Sequence, residues 1–171
     1  MLLVIPERAL VLLIGTSGSG KSTFARKHFK STEIVSSDAL RAAVSDDEAD
    51  QSASADAFEL LHLIAGKRLR GGRLTVIDAT NVQRTARASL LTLAAQNSAP
   101  AIAIVFNLQV AACLTRSQSR LDRRVRGEVV EKQAADLAHS LPSLGDEGFG
   151  CVYVMDNPGD IDSARVLRED S

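Results

Sequence analysis

Tryptophan is absent from this chain of 171 residues, and tyrosine occurs once. With aromatics at 4%, little is left for stacking exposed bases, which argues against broad aromatic readout of single strands. Only two cysteines occur, Cys113 and Cys151, and their spacing is not that of metal ligands. A disulfide-built fold is therefore excluded, and a reduced, cytoplasmic compartment fits best. No apolar run approaches the ~20 residues needed to span a bilayer, so no membrane partner is expected. The opening Met1-Leu2-Leu3-Val4-Ile5 is too short for a signal segment and lacks a basic leader. The formal net charge is −1, so bulk charge does not announce a nucleic-acid binder, although segregation of charge matters more than its sum. Internal repeats, low-complexity tracts and flexible linkers are also missing. One domain, residues 1–171, is the expectation.

What is present begins with Gly15-Thr16-Ser17-Gly18-Ser19-Gly20-Lys21-Ser22. The apolar run Ala9 to Ile14 leads in, and a helix-compatible stretch, Thr23 to Lys30, leads out. Strand, glycine-rich turn and helix together form the context that confirms a phosphate-binding P-loop. Glycine permits the positive φ that turns backbone N–H groups inward around an anion. The helix then presents its unpaired first-turn N–H groups to the same anion. Lys21 is placed to reach β- and γ-phosphates, and the Ser22 hydroxyl to ligate Mg²⁺.

Five β-rich runs follow one another, Ala9–Ile14, Glu33–Ser36, Leu74–Asp78, Ala101–Phe106 and Cys151–Met155. The first and fourth are apolar on both alternating faces, as strands covered on both sides must be. Between them, Ala57, Leu60, Leu61 and Ile64 have the spacing of a helix's core face, stopped at Gly71-Gly72. Leu90, Leu91 and Ala94 mark another helix, and a short polar helix is expected to end the chain after Asn157-Pro158-Gly159. The alternation predicts an α/β fold with a parallel sheet and right-handed crossovers. In such sheets the site lies at the carboxyl ends of the strands, which brings Ser22, Asp38, Asp78 and the Phe106–Asn107 segment to one rim.

Asp78 ends Leu-Thr-Val-Ile-Asp, an apolar strand followed by a carboxylate. That pattern favours a Mg²⁺ role, direct or through water, over a turn-forming one. Thr80 and Asn81 are either caps of the next helix or substrate contacts. Ser37 is a plausible helix cap, which puts Asp38 and Arg41 three apart on one face. They read equally as a dipole-stabilising acid with a solvated arginine, or as an acceptor base with a phosphate grip. Residues 116–126 hold five arginines and one acid, and Arg116, Arg120 and Arg123 recur at helical spacing. A helical lid delivering guanidinium groups to phosphates is the favoured reading. The acidic stretch Ser45-Asp46-Asp47-Glu48-Ala49-Asp50 reads as a solvated loop. His28, His62, His139 and both cysteines read as structural or exposed.

Taken in order, these segments resemble the N-terminal kinase module of the bacterial polynucleotide kinase–phosphatase RNA-repair enzymes, which is related to bacteriophage polynucleotide 5′-kinase. The resemblance covers almost the whole chain. It rests on Gly15 to Ala25, Val35-Ser-Ser-Asp38-Ala-Leu-Arg41, Ser45 to Gln51, Leu74 to Val82, Val105 to Leu108, the Arg116/Arg120/Arg123 spacing, and Glu147 to Val154. It implies a P-loop kinase fold, a five-stranded parallel sheet flanked by helices with an arginine-rich helical lid. The implied reaction moves the γ-phosphate of ATP, with Mg²⁺, to a 5′-hydroxyl end of RNA or DNA. Residues Gly15, Thr16, Ser17, Gly18, Ser19, Gly20, Lys21, Ser22 and Thr23 would then hold the ATP phosphates, with Arg116, Arg120 and Arg123 above them. By the same resemblance Lys21, Asp38, Arg116 and Arg123 are catalytic, Asp38 as general base. Arg41 meets the phosphate at the acceptor's reacting end, and Ser22 and Asp78 serve the metal. The acidic stretch recurs in the family, where it would shape the site's wall. Family members continue into phosphatase and ligase modules, which are expected partners within a longer chain from which this domain is excised. An isolated monomer is the expectation. Two other readings remain, a small-molecule P-loop kinase and a nucleotide-gated binding module without turnover.

Overall fold

The computed structural model describes residues 1–119 and 125–169. Five strands form a wholly parallel sheet: β2 (Leu10–Gly15), β3 (Ile34–Ser36), β4 (Thr75–Asp78), β5 (Ala101–Phe106) and β6 (Cys151–Met155), in the order β3-β4-β2-β5-β6. Every residue of β2, β4 and β5 is buried, because helices cover both faces. Leu10, Leu12 and Ile14 point into one core with α3 (Ser54–Arg70), α4 (Arg84–Gln96) and α6 (Gly127–Ser140). Val11 and Leu13 point into the other, where Phe24, Ala25 and Phe29 of the α1 region (helix Lys21–His28) pack. Phe24 stacks at 4.4 Å on His28, whose protonation is held down by burial and by the neighbouring Lys27. Among the described residues no helix is long and apolar enough to cross a membrane.

Two strands lie outside the five expected. β1 (Leu2–Pro6) pairs in parallel with β7 (Arg165–Glu169), and these form a separate two-stranded sheet. The described residues therefore do not end in a helix: α7 (Pro158–Ser163) is a capped turn and a half before β7. Leu3 and Ile5 are fully buried in the second core, so this opening run is structural. The lone tyrosine stitches the two sheets together. Tyr153 Oη on β6 accepts from Val4 N–H (2.9 Å) and donates to Val4 C=O (3.1 Å).

The face of α3 also differs from its apolar spacing. Ala57, Leu61, Ala65 and Leu69 face the core, while Leu60 and Ile64 are each 36% exposed. Small residues decide the rotation. Gly66 lies so near Leu93 of α4 that a Cβ there would come to 3.3 Å, which only the small-residue side of α3 allows. Asp56 in its first turn and Lys67, Arg68 and Arg70 in its last complement the helix dipole.

Candidate active site

The carboxyl ends of β2, β3 and β4 meet at one rim, and the sequence there folds as three tight turns. After β2 the P-loop turns through Gly18 (φ 82°) and Gly20 (φ 98°) into α1. Gly18 has a second constraint, since a Cβ would come within 2.2 Å of the Cys113 carbonyl of α5 (Val110–Gln118). The P-loop thus rests directly on the backbone of the helix that carries Arg116. Lys21 is buried, and its Nζ donates to the carbonyls of Gly15 (2.8 Å) and Thr16 (2.7 Å). This docking holds the ammonium over the loop's mouth.

After β3 the chain enters α2 (Ser37–Ser45). The cap is Ser36 rather than Ser37, its Oγ accepting from Ala39 N–H at 3.4 Å. Asp38 and Arg41 still share one face, and Arg41 Nη2 donates to Asp38 Oδ1. Arg41 is only 5% exposed, and its Nε donates to the Glu48 carbonyl at 2.9 Å. The acidic stretch is therefore more than a solvated loop. Its backbone positions Arg41, while Asp50 caps the turn that leads to α3 by accepting from Ser52 N–H at 2.8 Å.

After β4 the turn residues are not helix caps, since α4 starts at Arg84 behind Gln83. Asn81 is buried at φ 49° and donates from Nδ2 to the Leu13 carbonyl (2.8 Å), and Gly15 N–H donates to the Thr80 carbonyl (2.9 Å). These bonds lock the Asp78 turn to the P-loop. The Asn81 carbonyl accepts in turn from Arg87, which is fully buried and paired bidentately with Glu147 at 2.6 and 2.7 Å. Asp78 is 8% exposed, and burial is the largest influence on it, pushing its carboxyl above the usual range. The Ser22 hydroxyl bonded to it and the Lys21 charge oppose that shift.

A cavity of about 580 Å³ gathers these groups. Ser17, Gly18, Gly20, Lys21, Ser22, Thr23, Asp38, Arg41, Asp78 and Arg116 all line it. Gly15, Thr16 and Ser19 form the buried underside of the loop. Arg120 and Arg123 lie outside the described residues, and α5 ends at Gln118, before either. Asn107 follows β5 on the carboxyl rim as expected, but it turns toward the β6 side, donating to Asp156 Oδ1 (2.7 Å), and is not among the residues that line the cavity. A second cavity of about 590 Å³, lined by Phe29, Ile34, Ser36, Ala39 and Glu48 among others, shares Ser22, Arg26, Asp38 and Asp78 with the first. Composition and spacing did not reveal Arg26, Gln51, Ser54, Phe58, Ser117, Val125 or Gln133 as lining residues. For Gln133 a signal existed: it interrupts the buried stripe Val130, Leu137 and Ser140 of α6 with a polar group.

A family described as AAA domain matches residues 10–143. The chain belongs to this AAA-domain family. Its fold is that of the P-loop kinases, with the five-stranded parallel sheet flanked by helices. Among solved structures, a Pnkp1/Rnl/Hen1 complex aligns at 25% identity and TM-score 0.55, covering 63% of this chain and 38% of that one. Mycobacterium tuberculosis APS kinase CysC, with AMPPNP and APS, aligns at 20% identity and TM-score 0.53, covering 67% and 71%. An AvrRxo1-ORF1:ORF2 complex with ATP aligns at 14% identity and TM-score 0.69, covering 89% of this chain and 55% of that one. The chain thus spans about half the length of some of its structural relatives, and less of others. No curated protein sequence matches it.

Proposed function

We propose that the chain is an ATP- and Mg²⁺-dependent kinase that phosphorylates the 5′-hydroxyl end of RNA or DNA. The observation that carries this reading is the Asp38–Arg41 pair, held by Ser36 and Glu48 in the same cavity as Lys21. A module that only bound nucleotide needs no carboxylate opposite the phosphate site. In the reaction, the acceptor oxygen bonds to the γ-phosphorus, the bond from that phosphorus to the bridging β–γ oxygen breaks, and the hydroxyl proton passes to Asp38. Arg41 orients Asp38 and offers a guanidinium to the acceptor's phosphate. Ser22 and Asp78 are hard oxygen donors in contact, which suits Mg²⁺ completed by phosphate oxygens and water. Bound there, the ion neutralises phosphate charge. The second cavity supports an extended acceptor, because it offers room beyond Asp38 for a chain that continues past the reacting hydroxyl. The Pnkp1 relative points the same way.

The relation to an APS kinase keeps a small-molecule acceptor as the second reading. Transfer from γ-labelled ATP to 5′-hydroxyl oligonucleotides, nucleosides and sugars separates the two. The expected result is labelled oligonucleotide, with Asp38→Ala reducing turnover about 10²–10⁴-fold and barely changing ATP affinity. Transfer to small acceptors alone would overturn the polynucleotide reading, and full turnover in Asp38→Ala would overturn the base.

A further inference from the structure

We propose that Gln133 of α6 reads the terminal phosphate of the nucleotide donor. Its Oε1 accepts a hydrogen bond from the Ser17 backbone N–H at 2.8 Å, a contact across 116 residues of sequence. Because Ser17 N–H is a donor, the carboxamide oxygen must face it. The Nε2 amide group, with two donors, is thereby turned to the other side. Gln133 lines the 580 Å³ cavity, so that other side is where a nucleotide's phosphates enter.

The position along the loop selects which phosphate. In a P-loop the backbone N–H groups cradle the α- and β-phosphates, and the lysine reaches the β- and γ-phosphates. Lys21 Nζ is docked on the carbonyls of Gly15 and Thr16, and Ser17 N–H is the next polar group in the chain. Gln133 therefore stands at the lysine end of the loop, the γ end. Arg116 and Ser117 line the same cavity, and Ser117 Oγ is buried without a hydrogen-bond partner among the described residues. Two polar side chains from neighbouring helices thus have hydrogen-bonding capacity at a site built for an anion.

Docking of α6 does not depend on Gln133. Val130 and Leu137 are buried, Ser140 Oγ donates to the Val82 carbonyl at 3.0 Å, and Gln83 Nε2 donates to Asp136 Oδ2 at 3.2 Å. The inference rests on the chain being a nucleotide-dependent phosphotransferase but not on its acceptor.

The discriminating variant is Gln133→Glu. It keeps an oxygen for Ser17 N–H, removes the amide donors and places negative charge beside the γ site. Equilibrium binding of ATP and ADP with Mg²⁺, in the absence of any acceptor, gives the readout. The expected result is near-normal ADP affinity and melting temperature, with ATP affinity reduced roughly 10- to 100-fold, the range of a hydrogen bond to a charged group. Gln133→Ala should also weaken ATP more than ADP. An unchanged ATP-to-ADP ratio in both variants, or equal weakening of the two nucleotides, would overturn the proposal and leave Gln133 as a structural tie. Since no acceptor is present, failure of the oligonucleotide assay overturns only the polynucleotide reading.

Discussion

Asp78, the carboxylate proposed for the metal, carries a cost in stability that a single substitution can expose. Burial raises its proton affinity above that of an unfolded aspartate, more strongly than Ser22 and Lys21 lower it. The sign of the consequence is fixed by linkage. A carboxyl whose folded pKa is raised binds more protons in the native state than in the unfolded chain. Native stability therefore falls as pH rises from the unfolded value of about 3.9 through the folded one, and the penalty is complete above that window. Asp78→Asn removes the penalty. In metal- and nucleotide-free protein at neutral pH it should raise the melting temperature, about 2–4 °C for each kcal/mol recovered. The same variant should lose the further stabilisation that Mg²⁺ with nucleotide gives the wild type, and most of its turnover. Scanning calorimetry with and without Mg²⁺ and ATP checks both, and a lower ligand-free melting temperature would count against the burial argument.

At the scale of elements, the P-loop is held by what packs on it as much as by its own turn. Gly18 and Gly20 both have positive φ, yet only Gly18 has the Cys113 carbonyl 2.2 Å from where a Cβ would sit; nothing lies within 4 Å of the Gly20 position. Gly20→Ala should therefore cost about 1–2 kcal/mol of backbone strain. Gly18→Ala adds a clash of backbone against side chain, so α5 and the loop must separate, and nucleotide affinity should fall at least tenfold further than in Gly20→Ala. Paired denaturation and binding curves for the two variants make the comparison. The motif alone makes both glycines look like turn formers, because the α5 contact joins residues about a hundred positions apart. The same distance explains what else was illegible. β2 and β5 were readable because strands buried on both faces are apolar throughout, whereas β1 is a short apolar run and β7 a half-exposed polar one, and these two pair with each other from opposite ends of the chain. The stripe of α3 was half legible: Ala57 and Leu61 are buried as their spacing suggests, but Ala65 and Gly66 take the places in the packed face that Leu60 and Ile64 seemed to claim. Lys21, Asp38, Arg41 and Asp78 were legible as a group because strand ends converge, but Gln133 reaches the loop only through the packing of α6.

Across the whole molecule, the Arg87–Glu147 pair is the tie between the core and the site. Both side chains are at most 2% exposed, the bond is bidentate, and it joins α4 to the segment before β6 while Arg87 also holds the Asn81 carbonyl behind Asp78. Breaking one side leaves a buried charge without its partner, so Glu147→Ala should cost about 3–5 kcal/mol, a large share of a typical domain's 5–15. Replacing both with apolar residues of similar volume, Arg87→Met with Glu147→Leu, removes the stranded charge. Much of the stability should return, less the roughly 1–3 kcal/mol for leaving the Asn81 carbonyl without a donor. Stability is then no longer what separates the double variant from the wild type, and activity becomes informative. If Arg87 matters because it fixes the Asp78–Asn81 turn, the double variant should unfold near the wild-type urea midpoint yet bind Mg²⁺ and ATP less tightly. Wild-type binding in that variant would mean the Leu13 and Gly15 hydrogen bonds hold the turn by themselves. The pair would then be an anchor for the fold, and the metal side of the site would be independent of it.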